Sequence, residues 1–443
     1  MNFAVTSKQV FLFIYFISII AIGTYLLALP VSWGGDGDLA IIDALFTSVS
    51  AVCVTGLIVV DTAEYTMVGK IFILLLIQTG GLGIITISTL SVTVPGKKLS
   101  LVSQKIIKEY FIDTLEHDPL IIVRKIILFT FIMEFLGFIA LFIGFTLSGS
   151  ENPLFQSIFH SISAFCNAGF STFSDNLEAW RMNVYITIPV MILIITGGLG
   201  FVVVQDILKK MFTKKHRIII HSKIVITMTL ILIITGTFSY FLLEMFVTSP
   251  HGINSVSIHD ALFQSVTTRT AGFNTVSQGE LSLPSKFISL LLMFIGGSPG
   301  SIAGGVKTAT FFLIIWMIIR GPDKYGNLRY WKQQIPERIV HKAHQFILRA
   351  FGILFVCIFS LCVTETIAGK QFSFIEMVFE SFSAFATVGL SLGITGSLSF
   401  FGKIAVIITM FAGRVGLISM AMPLPVHYTE SYIDYPEEEV LIG

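Results

Sequence analysis

Long apolar runs alternate along this chain with short ones. The first long run extends from Val10 to Val31 and is followed by a turn-forming stretch, Gly34-Gly35-Asp36-Gly37-Asp38. Residues 40–52 are apolar but too few to cross a bilayer. After the polar loop Asp61–Gly69, a second long run extends from Ile71 to about Val94. A membrane-spanning helix needs about 20 apolar residues, so this order predicts a span, a half-helix and a second span. The same order recurs three times. The second unit has spans near 126–147 and 184–205 around a half-helix at 154–166. The third has spans near 224–247 and 287–318 around a half-helix at 258–268, and the fourth has spans near 345–367 and 402–422 around a half-helix at 375–386.

Each half-helix runs into a single glycine. The four copies are Val49-Ser50-Ala51-Val52-Cys53-Val54-Thr55-Gly56, Ile162-Ser163-Ala164-Phe165-Cys166-Asn167-Ala168-Gly169, Val266-Thr267-Thr268-Arg269-Thr270-Ala271-Gly272 and Phe382-Ser383-Ala384-Phe385-Ala386-Thr387-Val388-Gly389. The glycines are 113, 103 and 117 residues apart, and recurrence on that scale marks a repeated unit. A second marker keeps register with the first. Gly80-Gly81-Leu82-Gly83, Gly197-Gly198-Leu199-Gly200, Gly296-Gly297-Ser298-Pro299-Gly300 and Gly413-Arg414-Val415-Gly416 begin 24, 28, 24 and 24 residues after their glycines. These markers read as a Gly-rich break in every second span. The expected architecture is an all-α integral membrane protein of four fused span–pore-helix–span repeats around a central pore, with eight transmembrane helices and four re-entrant pore helices. Its units are residues 1–95, 96–208, 209–319 and 320–425, with a cytoplasmic tail at 426–443.

Composition agrees with this class. Hydrophobic residues make up 54% of the 443 and charged residues 12%, against about 25% charged in a soluble domain. A formal net charge of +1 gives no bulk case for binding nucleic acid. The first run is too long for the apolar region of a cleaved signal and reads as the first span. Segments 96–125, 206–223 and 319–342, which join the repeats, hold six Lys or Arg each. By the positive-inside rule these joining segments and both termini are cytoplasmic, and the half-helices enter from outside. The basic loops serve either as topology signals alone or also as a docking surface for a cytoplasmic partner or anionic lipid.

The half-helix glycines suggest a chemistry. A cation leaving water loses its hydration shell, and backbone carbonyls aimed into a pore replace it. Aiming successive carbonyls the same way requires positive φ, which glycine reaches without a Cβ clash. The candidate filter is therefore Val54-Thr55-Gly56, Asn167-Ala168-Gly169, Thr270-Ala271-Gly272 and Thr387-Val388-Gly389, with K⁺ as the expected ion. The C-terminal ends of the half-helices, carrying partial negative charge, would favour a cation just inside it. Only the fourth strand matches the start of the potassium-channel Thr-Val-Gly-Tyr-Gly run, and the third copy is one residue shorter before its glycine.

Two further features stand out. Residues Gly296, Gly297, Ser298, Pro299, Gly300, Ser301, Ile302, Ala303, Gly304 and Gly305 include five glycines and a proline, which a continuous helix tolerates poorly. The stretch is either a static kink or an intramembrane loop across the pore. Lys307 falls one residue too late for a phosphate-binding loop. Arg414 lies within a span, where an ionisable group is costly. It either pairs with a carboxylate or the carbonyls of the broken helix, or lines the pore as an electrostatic barrier. Arg269 reads as a supporting donor, and Glu134 and Glu244 receive no ion role. Cys53, Cys166, Cys357 and Cys362 have no metal-site spacing, and the nine His and the carboxylates form no catalytic set, so an enzyme is not expected.

Together these residues resemble the Trk/Ktr/HKT superfamily of potassium transporters over essentially the whole chain, with its length and short N-terminus nearest the Ktr branch. The resemblance implies a gated K⁺ pore, with 296–305 and Arg414 at the gate. It also implies a homodimer and a cytoplasmic ring of RCK-type subunits that bind a regulatory nucleotide, with no covalent cofactor on this chain and Na⁺ dependence open. The competing class is a secondary transporter for a larger solute, built around a midplane site between broken helices. Such a protein would show two related halves, where this chain shows four related quarters.

Overall fold

The computed structural model describes residues 7–90, 119–213, 216–247, 256–321, 323, 327–331, 333–335 and 337–416. The expected linker around 96–118 and the tail at 426–443 lie outside them. The first repeat comprises α1 (Ser7–Leu27), α2 (Ile41–Val52) and α3 (Met67–Leu90), and the second α4 (Pro119–Leu147), α5 (Pro153–Phe165), α6 (Val184–Leu199) and α7 (Phe201–Phe212). The third has α8 (Ile220–Phe246), α9 (Ile258–Thr267), α10 (Leu283–Phe294) and α11 (Thr308–Arg320). The fourth has α12 (Glu337–Ile367), α13 (Phe374–Ala386) and α14 (Phe400–Phe411), which continues into a π-helical turn, Ala412–Gly416. One departure from the all-α expectation is a short antiparallel hairpin between α11 and α12, β1 (Leu328–Tyr330) with β2 (Gln333–Ile335).

Among the described residues, three helices are long and apolar enough to cross a membrane, Val123–Leu147, Ile220–Phe246 and Ile339–Ile367; α6 with α7 makes a fourth, bent by 101°. Their outward faces carry exposed Phe135, Leu136, Phe355 and Val356. Such a surface suits hydrocarbon, where the intrahelical ladder already satisfies every backbone polar group.

The half-helices α2, α5, α9 and α13 dock on the first spans through one recurring device. Each carries a serine eight residues before its glycine, or seven in the short third copy: Ser48, Ser161, Ser265 and Ser381. In the first three repeats this serine fits a glycine notch at Gly23, Gly137 or Gly236. It donates to the carbonyl three residues earlier, Ile20 (2.9 Å), Glu134 (2.5 Å) or Ile233 (3.0 Å). Small residues that let backbones approach are the usual means of packing helices where lipid removes the hydrophobic drive. In repeat four Cys357 stands against Ser381 instead.

A second device seats the other spans. Glu244, near the end of α8, accepts from the Ser282 N–H (2.9 Å) at the start of α10. Glu365 does the same for Ser399 at the start of α14 (3.1 Å), and Asn183 donates to Ser148 (2.5 Å) in repeat two. The two glutamate contacts satisfy N–H groups at helix starts that burial would leave unpaired. Glu244 thus caps the start of α10.

Candidate functional site

The four half-helices end in the same unusual backbone. Val54, Asn167, Thr270 and Thr387 have φ of 54°, 57°, 71° and 50°, and two residues later Gly56, Gly169, Gly272 and Gly389 have φ of 89°, 71°, 77° and 95°. Left-handed backbone costs a non-glycine residue about 1–2 kcal/mol. Its recurrence at four equivalent positions, three of them β-branched, is strain of the kind found at functional sites. Alternating the sign of φ turns successive carbonyls toward one side, which a regular strand does not do.

The strands follow one another in a closed ring. A Cβ added to Gly169 would lie 2.8 Å from the Ala271 carbonyl oxygen and 2.9 Å from the Gly272 Cα. A Cβ on Gly56 would collide with the Ala168 oxygen, one on Gly272 with that of Val388, and one on Gly389 with that of Thr55. Repeat one thus faces two, two faces three, three faces four, and four closes on one. Every glycine meets the carbonyl just before the next glycine, so all twelve residues assigned to the filter from sequence come together.

A hydroxyl in the last helical turn holds each strand. Ser50 accepts from the Gly56 N–H (3.1 Å) and Ser383 from the Gly389 N–H (3.1 Å); Ser163 donates to the Phe170 carbonyl (2.8 Å) and Thr267 to that of Phe273 (2.5 Å). The shortened third copy is explained here. Thr55, Ala168 and Val388 donate their N–H to the residue five back, whereas Ala271 donates to Thr267, four back (2.9 Å). The missing residue comes out of the helix end, and the Thr-Ala-Gly geometry is unchanged. These hydroxyls and the docking serines form a Ser-x-Ser/Thr signature at 48–50, 161–163, 265–267 and 381–383. The signature is visible in the sequence once a one-residue offset is allowed in the third copy, but sequence reading gave it no role.

The second marker needs correction. It is not a break in every second span, because α3 runs unbroken through Gly80-Gly81-Leu82-Gly83. The common requirement is close approach. A Cβ on Gly80, Gly197 or Gly413 would strike the carbonyl oxygen of Val52, Phe165 or Phe385, each four residues before its filter glycine. The marker glycines let the second spans press against the ends of the half-helices.

Repeat three departs from this pattern. Its second span stops at Phe294 and resumes at Thr308, and the intervening loop doubles back so that the Gly296 N–H meets the Val306 carbonyl (2.9 Å) and the Thr308 N–H that of Gly297 (3.0 Å). Gly304 packs against Thr387 and Ala386 of repeat four. Ser298 donates its N–H to the Gly198 carbonyl (2.9 Å) and its hydroxyl to that of Leu199, at the end of α6 where Gly200 (φ 81°) breaks the span. Ile302 lies against Gly81 of repeat one beside Cys166 of repeat two, and its carbonyl accepts from Arg414 of repeat four. This segment of repeat three thus touches each of the other three repeats. It is a loop rather than a kink in a continuous helix, and Arg414 engages a loop carbonyl rather than a carboxylate.

The other flagged groups have different settings. Arg269 is buried with Thr229, Gly198 and Gly297 around a small cavity, and its Nε has no partner among the described residues. Glu134 accepts from Gln78 (3.2 Å), which also receives the Cys166 thiol (3.5 Å). Asn167, its amide nitrogen turned inward, donates to the carbonyls of Ala164 (3.0 Å) and Ile194 (3.2 Å).

A family model described as TrkH, cation transport protein, matches residues 2–427. The chain belongs to this family. It is 37% identical to "Ktr system potassium uptake protein B" of Bacillus subtilis, over 99% of this chain and 97% of that protein. It is 36% identical to "Potassium/sodium uptake protein NtpJ" of Enterococcus hirae, over 97% of this chain and 95% of that one. The crystal structure of the potassium transporter TrkH from Vibrio parahaemolyticus superposes with a TM-score of 0.72 at 19% identity, covering 94% of this chain and 85% of that one. That likeness supports the fold. TrkH-family proteins are transporters, and this chain is a transporter rather than an enzyme.

Proposed function

We propose that this protein takes up potassium across the cytoplasmic membrane through a gated, K⁺-selective pore. The observation that carries the reading is the closed ring of four strands, each left-handed at alternate residues and each glycine facing the next repeat's carbonyl. Carbonyls arranged in this way replace the hydration of a large monovalent cation. Residues 54–56, 167–169, 270–272 and 387–389 form the filter. The C-terminal ends of α2, α5, α9 and α13 lead directly into it, and their partial negative charge favours a cation there. Loop 296–305, tied by Ser298 at one point and by Arg414 at another, is the gate, and Arg414 adds a positive charge to the blocked state.

The names of the relatives supply the ion, and the Ktr name implies a system of more than one component. In this reading the chain works as a homodimer with both termini cytoplasmic. Its basic joining segments face a cytoplasmic RCK-type ring that binds the regulatory nucleotide. Na⁺ dependence is suggested by the potassium/sodium name of one relative. The test is ⁸⁶Rb⁺ uptake into proteoliposomes, with Na⁺ as competitor and as activator. Saturable uptake that K⁺ abolishes and equimolar Na⁺ does not is the expected result. Equal competition by both ions would overturn K⁺ selectivity, and transport of a larger solute in place of Rb⁺ would overturn the pore itself.

A further inference from the structure

The residue just before the Ser-x-Ser/Thr signature is polar in every repeat: Thr47, His160, Gln264 and Glu380. All four are buried behind the strand, on the half-helix, and each reaches the segment that leaves the filter. They do so unequally. Tyr65, nine residues beyond Gly56, donates to Thr47 at 3.2 Å. His160 meets Ser171, two residues beyond Gly169, at 2.9 Å. Gln264 and Gln278, six residues beyond Gly272, exchange two amide bonds of 2.6 and 3.0 Å. Glu380 holds both of these places in its own repeat: Ser391, two beyond Gly389, at 2.8 Å, and Thr395, six beyond, at 2.5 Å. Ser391 also accepts from the Gly393 N–H at 3.0 Å, so one carboxyl organises the whole turn after the filter.

We infer that Glu380 is a positioning residue for the Thr387-Val388-Gly389 strand, and that the four strands are clasped with graded stiffness, repeat four the most firmly and repeat one the least. The inference rests on the filter reading above. Its physical basis is that one carboxyl offers two oxygens, so Ser391 and Thr395 are both tied to a single side chain fixed on the half-helix. The strand is thus held by Ser383 at the Val388 and Gly389 N–H groups and by Glu380 just beyond its end. Its backbone therefore resists the small collapse that would let carbonyls close on a smaller ion.

Na⁺ competition against ⁸⁶Rb⁺ uptake by the full-length protein is the measurement. Glu380→Ala is expected to raise Na⁺ competition about tenfold, the scale of two lost hydrogen bonds, and Thr47→Ala by less than about twofold, the scale of one weak bond. Glu380→Gln, which keeps an acceptor oxygen for one hydroxyl, is expected to fall between wild type and Ala. Ser391→Ala combined with Thr395→Val should reproduce the Glu380→Ala effect and add nothing to it, because both remove the same clasp. This pair also decides the question if Glu380→Ala fails to fold. If Gln behaves as badly as Ala, charge rather than positioning is at work and the inference is overturned. If the Ser391/Thr395 pair keeps wild-type competition while Gly389→Ser loses it, the clasp is wrong and the filter stands. If Gly389→Ser also leaves competition unchanged, the filter reading itself has failed.

Discussion

At Val54 the ring conflicts most directly with side-chain sterics, because a β-branched residue there is held at φ 54°. Glycine would relieve about 1–2 kcal/mol of left-handed strain. It would also give up burial of a Val side chain that is 1% exposed, worth about 1.5–3 kcal/mol, and add about 0.5–1 kcal/mol of backbone entropy. Packing wins, and Val54→Gly should destabilise the protein by about 1–2 kcal/mol, read as a lower melting temperature in detergent. A rise in melting temperature would mean that strain exceeds packing. The neighbouring glycines present the opposite case, since a side chain there meets the next repeat's carbonyl. Gly→Ser at 56, 169, 272 or 389 should lower K⁺ preference over Na⁺ without unfolding the protein, as measured by ion competition. Wild-type preference in all four variants would remove the filter assignment.

Among the elements, the loop between α10 and α11 owes its shape to its tethers as much as to its glycines. Removing the charge-assisted bond from Arg414 to the Ile302 carbonyl should tilt a two-state balance by about 1.5–3 kcal/mol. Arg414→Ala should therefore raise basal flux by roughly tenfold or more, as should deletion of several residues from 297 to 304. The two combined should fall short of additive, because both act on one closed state. Liposome flux from the single and combined variants measures this. A deletion variant that folds and conducts no faster than wild type would leave the loop a structural feature only. Much of this element was legible in the chain: five glycines and a proline in ten residues are incompatible with helix, and their register with Gly272 located them. The tethers were not legible. Ser298 reaches Gly198 and Leu199, and Arg414 reaches Ile302, across about a hundred residues of sequence, and such pairs carry no local signal. The marker glycines misled for a related reason. Sequence registers a glycine's lost helix propensity, but in α3 the glycine serves a carbonyl from another helix, and the span stays whole.

For the whole molecule, closure of the ring depends on contacts between repeats, and these follow a two-fold rather than four-fold pattern. Arg181 of repeat two pairs with both oxygens of Asp260 in the first turn of α9 (2.9 and 2.7 Å). Lys403 of repeat four pairs with Asp43 in the first turn of α2 (2.6 Å). The lysines equivalent to Lys403 in repeats one and three turn inward, Lys70 to the Ala63 carbonyl (2.8 Å) and Lys286 to that of Gly279 (2.7 Å). Burial pushes the Asp260 carboxyl up, but the Arg181 guanidinium and the Ser257 donors outweigh this and hold it below its ordinary value. A depressed carboxyl stabilises the fold above the unfolded value of about 4 and loses that contribution as pH falls through the folded one. Melting temperature should thus drop on acidification below about pH 4, and Arg181→Ala should lower it at neutral pH and flatten that acid limb. The junction of repeats four and one is the more demanding case, because no peptide bond joins them and the chain's first and last repeats must meet to complete the filter. Asp43 and Lys403 are each largely buried there, at 16% and 14% side-chain exposure. Breaking such a pair from one side leaves an uncompensated charge, at about 3 kcal/mol. Asp43→Lys or Lys403→Asp alone should therefore lower both melting temperature and K⁺ selectivity, since the Gly389–Thr55 contact closes the same junction. The double exchange should recover most of both. Recovery of stability without selectivity would place the pair in the scaffold alone; recovery of neither would show that the junction is held by packing and that the ion pair is incidental to closing the ring.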